Sequence, residues 1–151
     1  MGKLIYYIDK GNGNFEPFVE YSSEHVGADE FYARQLCTYF IYRGTQYERT
    51  SNEMENGHNV IVVKELGRNL PGEHERSYHG EGIHLEFRSP NEKENYRLIS
   101  RMPCNTHFDV MHYLLKDIVD IPMVGQMLVT SNEIDEDRGA YVLYVTDLEG
   151  A

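Results

Sequence analysis

The densest run of side chains able to do chemistry is EHERSYHGEGIHLEF, residues 73–87, where His74, His79 and His84 stand among Glu73, Glu75, Glu81 and Glu86. Imidazole and carboxylate are ligands that divalent first-row metals accept. His84 and Glu86 are two residues apart in a segment that alternates like a strand, so their side chains leave the same face. Gly80 and Gly82 give the preceding loop the freedom to fold His79 or Glu81 over them. His79, Glu81, His84 and Glu86 are therefore a candidate divalent-metal site, and a small metal-binding protein or metal-dependent enzyme is the function it would imply. The five-residue histidine spacing fits no metal motif with a mechanical rationale. The favoured expectation is plainer: His84, Glu86 and Arg88 form a solvated strand face whose charges pair with Arg97 or Arg101 across a hairpin.

A second candidate is Cys104, a reactive thiol just ahead of a predicted helix whose positive end would favour the thiolate, with His107 three residues on as a base. Residues three apart across a helix cap need not touch, and a thiol at a helix start is more often simply buried. Glycine-containing stretches carry no motif. GNGN at 11–14 joins two strands instead of opening a helix, so it lacks the context of a phosphate loop. SNEIDEDRGAY at 131–141 lacks the oxygen-ligand spacing of a calcium-binding hand. Twelve tyrosines, among them Tyr6, Tyr7, Tyr39, Tyr42, Tyr47, Tyr141 and Tyr144, fall largely in predicted strands. Tyr suits both a strand interior and a recognition surface, because it joins an apolar body to a wettable tip. With no complete catalytic set in view, the preferred function is a non-catalytic binding or regulatory domain that engages a protein partner or small ligand through a Tyr-rich surface.

The elements that must position these residues read mostly as strands. KLIYYID and FEPFVEY flank Gly11–Asn14 as a hairpin, and Pro17 sends the second of them to a sheet edge. SSEHVGADEFYARQ, 22–35, predicts a short helical turn, and QLCTYFIYR, 35–43, apolar on both faces, predicts a central strand. TSNEM and HNVIVVKEL pair through Asn56–Gly57, a type I′ signal. Residues 67–82 have no periodicity and form the longest connection. GIHLEFRS and YRLISRM form another hairpin. Phe108, Met111, Leu114, Leu115 and Ile118 predict the main helix, near 105–118, as one buried stripe. MVGQMLVTSNEI and AYVLYVTDL form the last hairpin. No internal repeat or linker is read from the chain. The fold predicted is α+β, mainly β: one domain over 1–151, with eight or nine antiparallel strands in a curled sheet or flattened barrel and the 105–118 helix packed on it.

Composition bounds the rest. At 151 residues the chain is long enough to bury one core without staples, and 40% hydrophobic residues argue against disorder. The net charge of −11 disfavours nucleic-acid backbones and anionic membranes as partners. No run is long enough for a transmembrane helix, and the N-terminus does not read as a secretory leader, which points to the cytoplasm. There Cys37 and Cys104 stay as thiols.

Overall fold

The two-residue hairpin turns form where the sequence supplies residues that accept positive φ. The computed structural model, which describes residues 2–69 and 75–150, places Asn12–Gly13 and Asn56–Gly57 in the left-handed region. These turns join β1 (Lys3–Gly11) to β2 (Asn14–Ser22) and β4 (Thr45–Glu55) to β5 (His58–Arg68). Pro17 lies at a register shift in β2, which is an edge strand as its missing N–H requires. The remaining strands are β3 (Tyr39–Tyr42), β6 (Ile83–Arg88), β7 (Leu98–Cys104), β8 (Ile118–Ile121), β9 (Gly125–Asp135) and β10 (Ala140–Thr146). Two helices, α1 (Ala28–Gln35) and α2 (His107–Leu114), pack on one another.

The ten strands form a single open sheet in the order β2-β1-β5-β4-β3-β9-β10-β6-β7, with β8 paired to β9. This corrects the expected antiparallel sheet or flattened barrel: the sheet is mixed, because β1–β5, β6–β10 and β3–β9 are parallel pairs. The apolar run Val60–Val63 in β5, buried on both faces, is the kind of sequence that parallel neighbours leave.

The order conceals a repeat. β1-β2-α1-β3-β4-β5 and β6-β7-α2-β8-β9-β10 follow the same path, giving strand orders 2-1-5-4-3 and 7-6-10-9-8 with the same parallel pair in each. The expectation of no internal repeat is thereby overturned. A trace survives in sequence: Thr50-Ser51-Asn52-Glu53-Met54-Glu55 in β4 and Thr130-Ser131-Asn132-Glu133-Ile134-Asp135 in β9. Both threonines sit where the register slips, and each Oγ1 donates to a carbonyl of the next strand: Thr50 to Val62 at 3.2 Å and Thr130 to Tyr144 at 3.1 Å. Both asparagines grip the α1–β3 turn. Asn52 Nδ2 donates to the Gln35 carbonyl at 2.8 Å. Asn132 donates to Leu36 at 3.1 Å and accepts from Thr38 N at 2.6 Å.

Asn132 is only 9% exposed whereas Asn52 is exposed. Asn132→Ala is expected to cost about 1–3 kcal/mol, because two part-buried backbone groups lose their partner. Asn52→Ala is expected to cost less than about 1 kcal/mol, because water replaces its side chain. Urea unfolding of the two variants checks this, and equal losses would contradict it.

The core lies between the helices and one face of the sheet, where Leu4, Tyr6, Phe40, Ile61, Leu85, Phe87 and Leu143 meet α1 and α2. The main helix is shorter than 105–118. A capping box at Thr106 and Asp109 starts it, and the chain leaves the helix at Leu115 so that Ile118–Ile121 can pair with β9. The buried stripe matches the predicted one in part: Leu114 is buried and Met111 packs on the core, but Val110 is buried too, whereas Phe108 and Leu115 are 67% and 64% exposed. α1 is a true two-turn helix, and it takes Gln35 out of the predicted 35–43 strand. No helix among the described residues is long and apolar enough to cross a membrane.

Candidate functional site

The face of the sheet opposite the helices carries the unexpected chemistry. On β6, alternation puts Leu85 and Phe87 into the core and His84, Glu86 and Arg88 on the far side, as predicted. Glu86, however, is 1% exposed. The segment around Arg76–Tyr78 covers it: Tyr78 N bonds the Arg138 carbonyl at 2.7 Å, and the Tyr78 hydroxyl donates to Glu86 Oε2 at 2.8 Å. The expected solvated face is therefore a buried one, and its partner is Arg138 in the β9–β10 turn, in place of Arg97 or Arg101.

Arg138, 4% exposed, is the hub. Its Nη1 and Nη2 donate to the two oxygens of Glu86 at 2.9 Å each, a bidentate fork. Nε donates to Asp135 Oδ2 at 2.9 Å and lies 3.0 Å from Glu75 Oε2, and Nη1 also reaches the Arg76 carbonyl at 3.1 Å. Arg88 Nε adds a bond to Glu86 Oε1 at 2.7 Å, and its Nη1 donates to the Tyr96 carbonyl at 3.0 Å. Burial alone would raise the Glu86 pKa, but the hydrogen bonds from Arg138 and Arg88 outweigh it and hold the carboxyl down at about 2.

Glu133 on β9 is the opposite case. It is 2% exposed, and its hydrogen-bond donor among the described residues is the Tyr144 hydroxyl, 3.3 Å from each carboxylate oxygen. Burial, with the negative charge of Asp135 second, pushes its pKa up to about 8. Burial also raises Asp135, despite Arg138. Two neighbouring carboxyls, Glu86 and Glu133, are thus driven in opposite directions by whether an arginine reaches them.

These groups border a cavity of about 280 Å³, walled by Tyr39 and Ile41 of β3, Ser131, Glu133 and Asp135 of β9, Tyr144 of β10 and Tyr96 of the β6–β7 connection. Tyr96 meets Tyr144 edge to face at 5.9 Å. Asn95 and Tyr96 both have positive φ, 55° and 50°. Asn accepts that conformation readily and Tyr does not, so the connection holds the Tyr96 ring where it stands at some cost.

The repeat supplies an internal control. Since the Thr50 and Thr130 bonds align Val62 with Tyr144, the parallel registers align Ile5 with Glu86 and Tyr7 with Arg88. The same backbone positions thus carry Ile5, Tyr7 and Val62 in one half and Glu86, Arg88 and Tyr144 in the other. Glu53, the counterpart of Glu133, is exposed and bonded by Ser51. The β4–β5 turn has two residues where the β9–β10 turn has four, and Arg138 lies in that longer turn. The fold does not require these charges.

The residues predicted from sequence are dispersed around this site. Of the four metal candidates, Glu86 is held by arginines, His84 stacks on Tyr78 at 4.5 Å, His79 Nε2 donates to the Asp137 carbonyl at 2.9 Å, and Glu81 pairs with Arg76. Among the described residues no group of three or more His, Cys, Asp or Glu is arranged to hold a metal ion. Glu73 and His74 lie outside the described residues. Cys104 ends β7, where burial, then Asp109, pushes its thiol up to about 11. His107 turns towards α1, 3.5 Å from Glu30 and 3.9 Å from Asp29. The tyrosines divide: Tyr6, Tyr47 and Tyr141 are core, whereas Tyr39 and Tyr144 reach the cavity. Sequence reasoning missed Glu133, Asp135, Arg138 and Tyr96. The recurring TSNE, eighty residues apart, was the one signal that marked Glu133.

Comparison with known proteins finds no matching family model, no matching curated protein and no matching solved structure.

Proposed function

We propose that this chain is a binding domain that takes a small ligand, or a side chain of a protein partner, into the cavity between Tyr39, Tyr96 and Tyr144. The observation that carries this reading is the contrast between the two halves: one half of a repeated fold has Ile5 and Tyr7, with its Glu53 and Glu55 exposed, where the other has Glu86 and Arg88 and buries Glu133 and Asp135 beside a cavity. Buried charge costs stability, so its retention at one of two equivalent places favours a role in recognition. The cavity lies near the lower limit of ordinary ligand sites, which suits one small group or one side chain. Aromatic walls with a few fixed polar groups are what such sites use for affinity and orientation.

The test is affinity capture from the native cell extract with the wild-type chain and with Tyr39→Ala/Tyr96→Ala. The reading predicts that a ligand or partner retained by the wild type is lost from the double variant, with circular dichroism unchanged. Retention by both places recognition elsewhere on the surface.

A further inference from the structure

Resting on that reading of the cavity, we infer that its occupant is a cation, the guanidinium or primary ammonium group of a small molecule or of a protein side chain, with Glu133 as the counter-ion. The charges in and behind the wall do not balance. Among the described residues, Glu86, Glu133 and Asp135 share two guanidinium groups, those of Arg88 and Arg138. Both are engaged: Arg138 with Glu86, Asp135, Glu75 and the Arg76 carbonyl, and Arg88 with Glu86 and the Tyr96 carbonyl. Glu133 therefore lines the cavity, nine-tenths buried, without an ion pair among the described residues, its two oxygens sharing one phenolic proton over 3.3 Å.

An ionised carboxylate has about four lone-pair sites and suits a forked donor. An anion entering here would meet Glu75, Glu133 and Asp135, whereas a cation would complete the set. Tyr39, Tyr96 and Tyr144 line the cavity, and aromatic rings are groups on which guanidinium and ammonium ions rest. The net charge of −11 draws cations towards the surface before any contact is made.

A cation also demands that Glu133 be ionised, among Glu75, Asp135, Arg88, Arg138 and the phenols of Tyr39, Tyr96 and Tyr144. With the free carboxyl titrating near pH 8, only a small fraction is competent at pH 6.5, and the apparent affinity falls by that fraction. Binding should be roughly twenty-fold tighter at pH 8.5 than at pH 6.5 and should release a proton between them.

The experiment is an amide NMR titration of the full chain with methylguanidinium and butylammonium chlorides, and with sodium acetate and butanol as controls. The expected result is saturable shifts at Ser131–Asp135 and Tyr144 with the two cations only, the pH dependence above, and at least ten-fold weaker, pH-independent binding by Glu133→Gln. An end-blocked peptide with one Arg separates the sources: tighter binding than methylguanidinium assigns the cation to a protein side chain, and equal binding assigns it to a small molecule. Shifts with acetate or butanol at these amides, or undiminished cation binding by Glu133→Gln, would overturn the inference while leaving the cavity a binding site. If no probe moves these amides, the cavity reading fails together with the inference.

Discussion

Arg138→Ala is expected to lose roughly 3–5 kcal/mol of folding stability at pH 7, the range for breaking a buried ion pair from one side. The cost arises from what remains. Glu86 keeps Arg88 and the Tyr78 hydroxyl but loses a bidentate fork, and Asp135 loses its charged partner. Tyr78 N still bonds the backbone of residue 138, so the segment covering Glu86 keeps one tether while losing the Arg76 carbonyl contact. Lysine is a poor substitute, because one ammonium cannot present Nε and two Nη donors in fixed directions. Arg138→Met combined with Glu86→Ile, which restores the residue that the first half carries at Ile5, should recover a good part of the loss. Urea unfolding midpoints measure all three. A loss below about 1 kcal/mol for Arg138→Ala would mean that water already screens the cluster.

What could be read from the chain, and what could not, follows from how local each cause is. The β1–β2 and β4–β5 hairpins were legible because Asn12–Gly13 and Asn56–Gly57 impose their turns within four residues. The parallel pairs were not. Leu4 finds Asn59 across more than fifty residues, and side-chain alternation says which face a residue takes without saying which strand lies beside it. Val60–Val63 carried a partial signal in being apolar on both faces. The face of β6 was assigned correctly, and its environment was not, since the unpatterned stretch that covers Glu86 gives no periodic sign of packing. The stripe of α2 is only partly legible: Met111 and Leu114 face the core, but Phe108 and Leu115 satisfy helical spacing as well as the buried Val110 does. The repeat was legible in TSNEM and TSNEI. Everything around those residues has diverged, and at Glu86, Arg88 and Tyr144 the divergence is the site itself.

Glu133→Gln is expected to stabilise the protein, by an amount that grows from nothing below pH 4.5 to its full size at about pH 8. The folded-state pKa of Glu133 is raised to about 8 from its ordinary value of 4.5 by burial, then by Asp135, so the fold favours the protonated form. Below pH 4.5 the carboxyl is neutral in both folded and unfolded chains, and the substitution changes little. As pH rises through this window the unfolded chain ionises and the folded one resists, so the wild type loses stability progressively until about pH 8, where the loss is complete. Each pH unit of that window is worth about 1.4 kcal/mol, which puts the advantage of Gln at roughly 3–5 kcal/mol by pH 8.5. The amide keeps the volume and an acceptor for the Tyr144 hydroxyl, so packing is held nearly constant. Urea midpoints at pH 5, 7 and 8.5 should show the two curves converging in acid and separating in base. A constant offset across that range would assign the effect to packing instead of ionisation. The same experiment with saturating methylguanidinium closes the argument on the cavity. A bound cation stabilises the chain that has the counter-ion by RT ln(1 + [L]/Kd), so the gap at pH 8.5 should narrow by about that amount and the gap at pH 5 should not change.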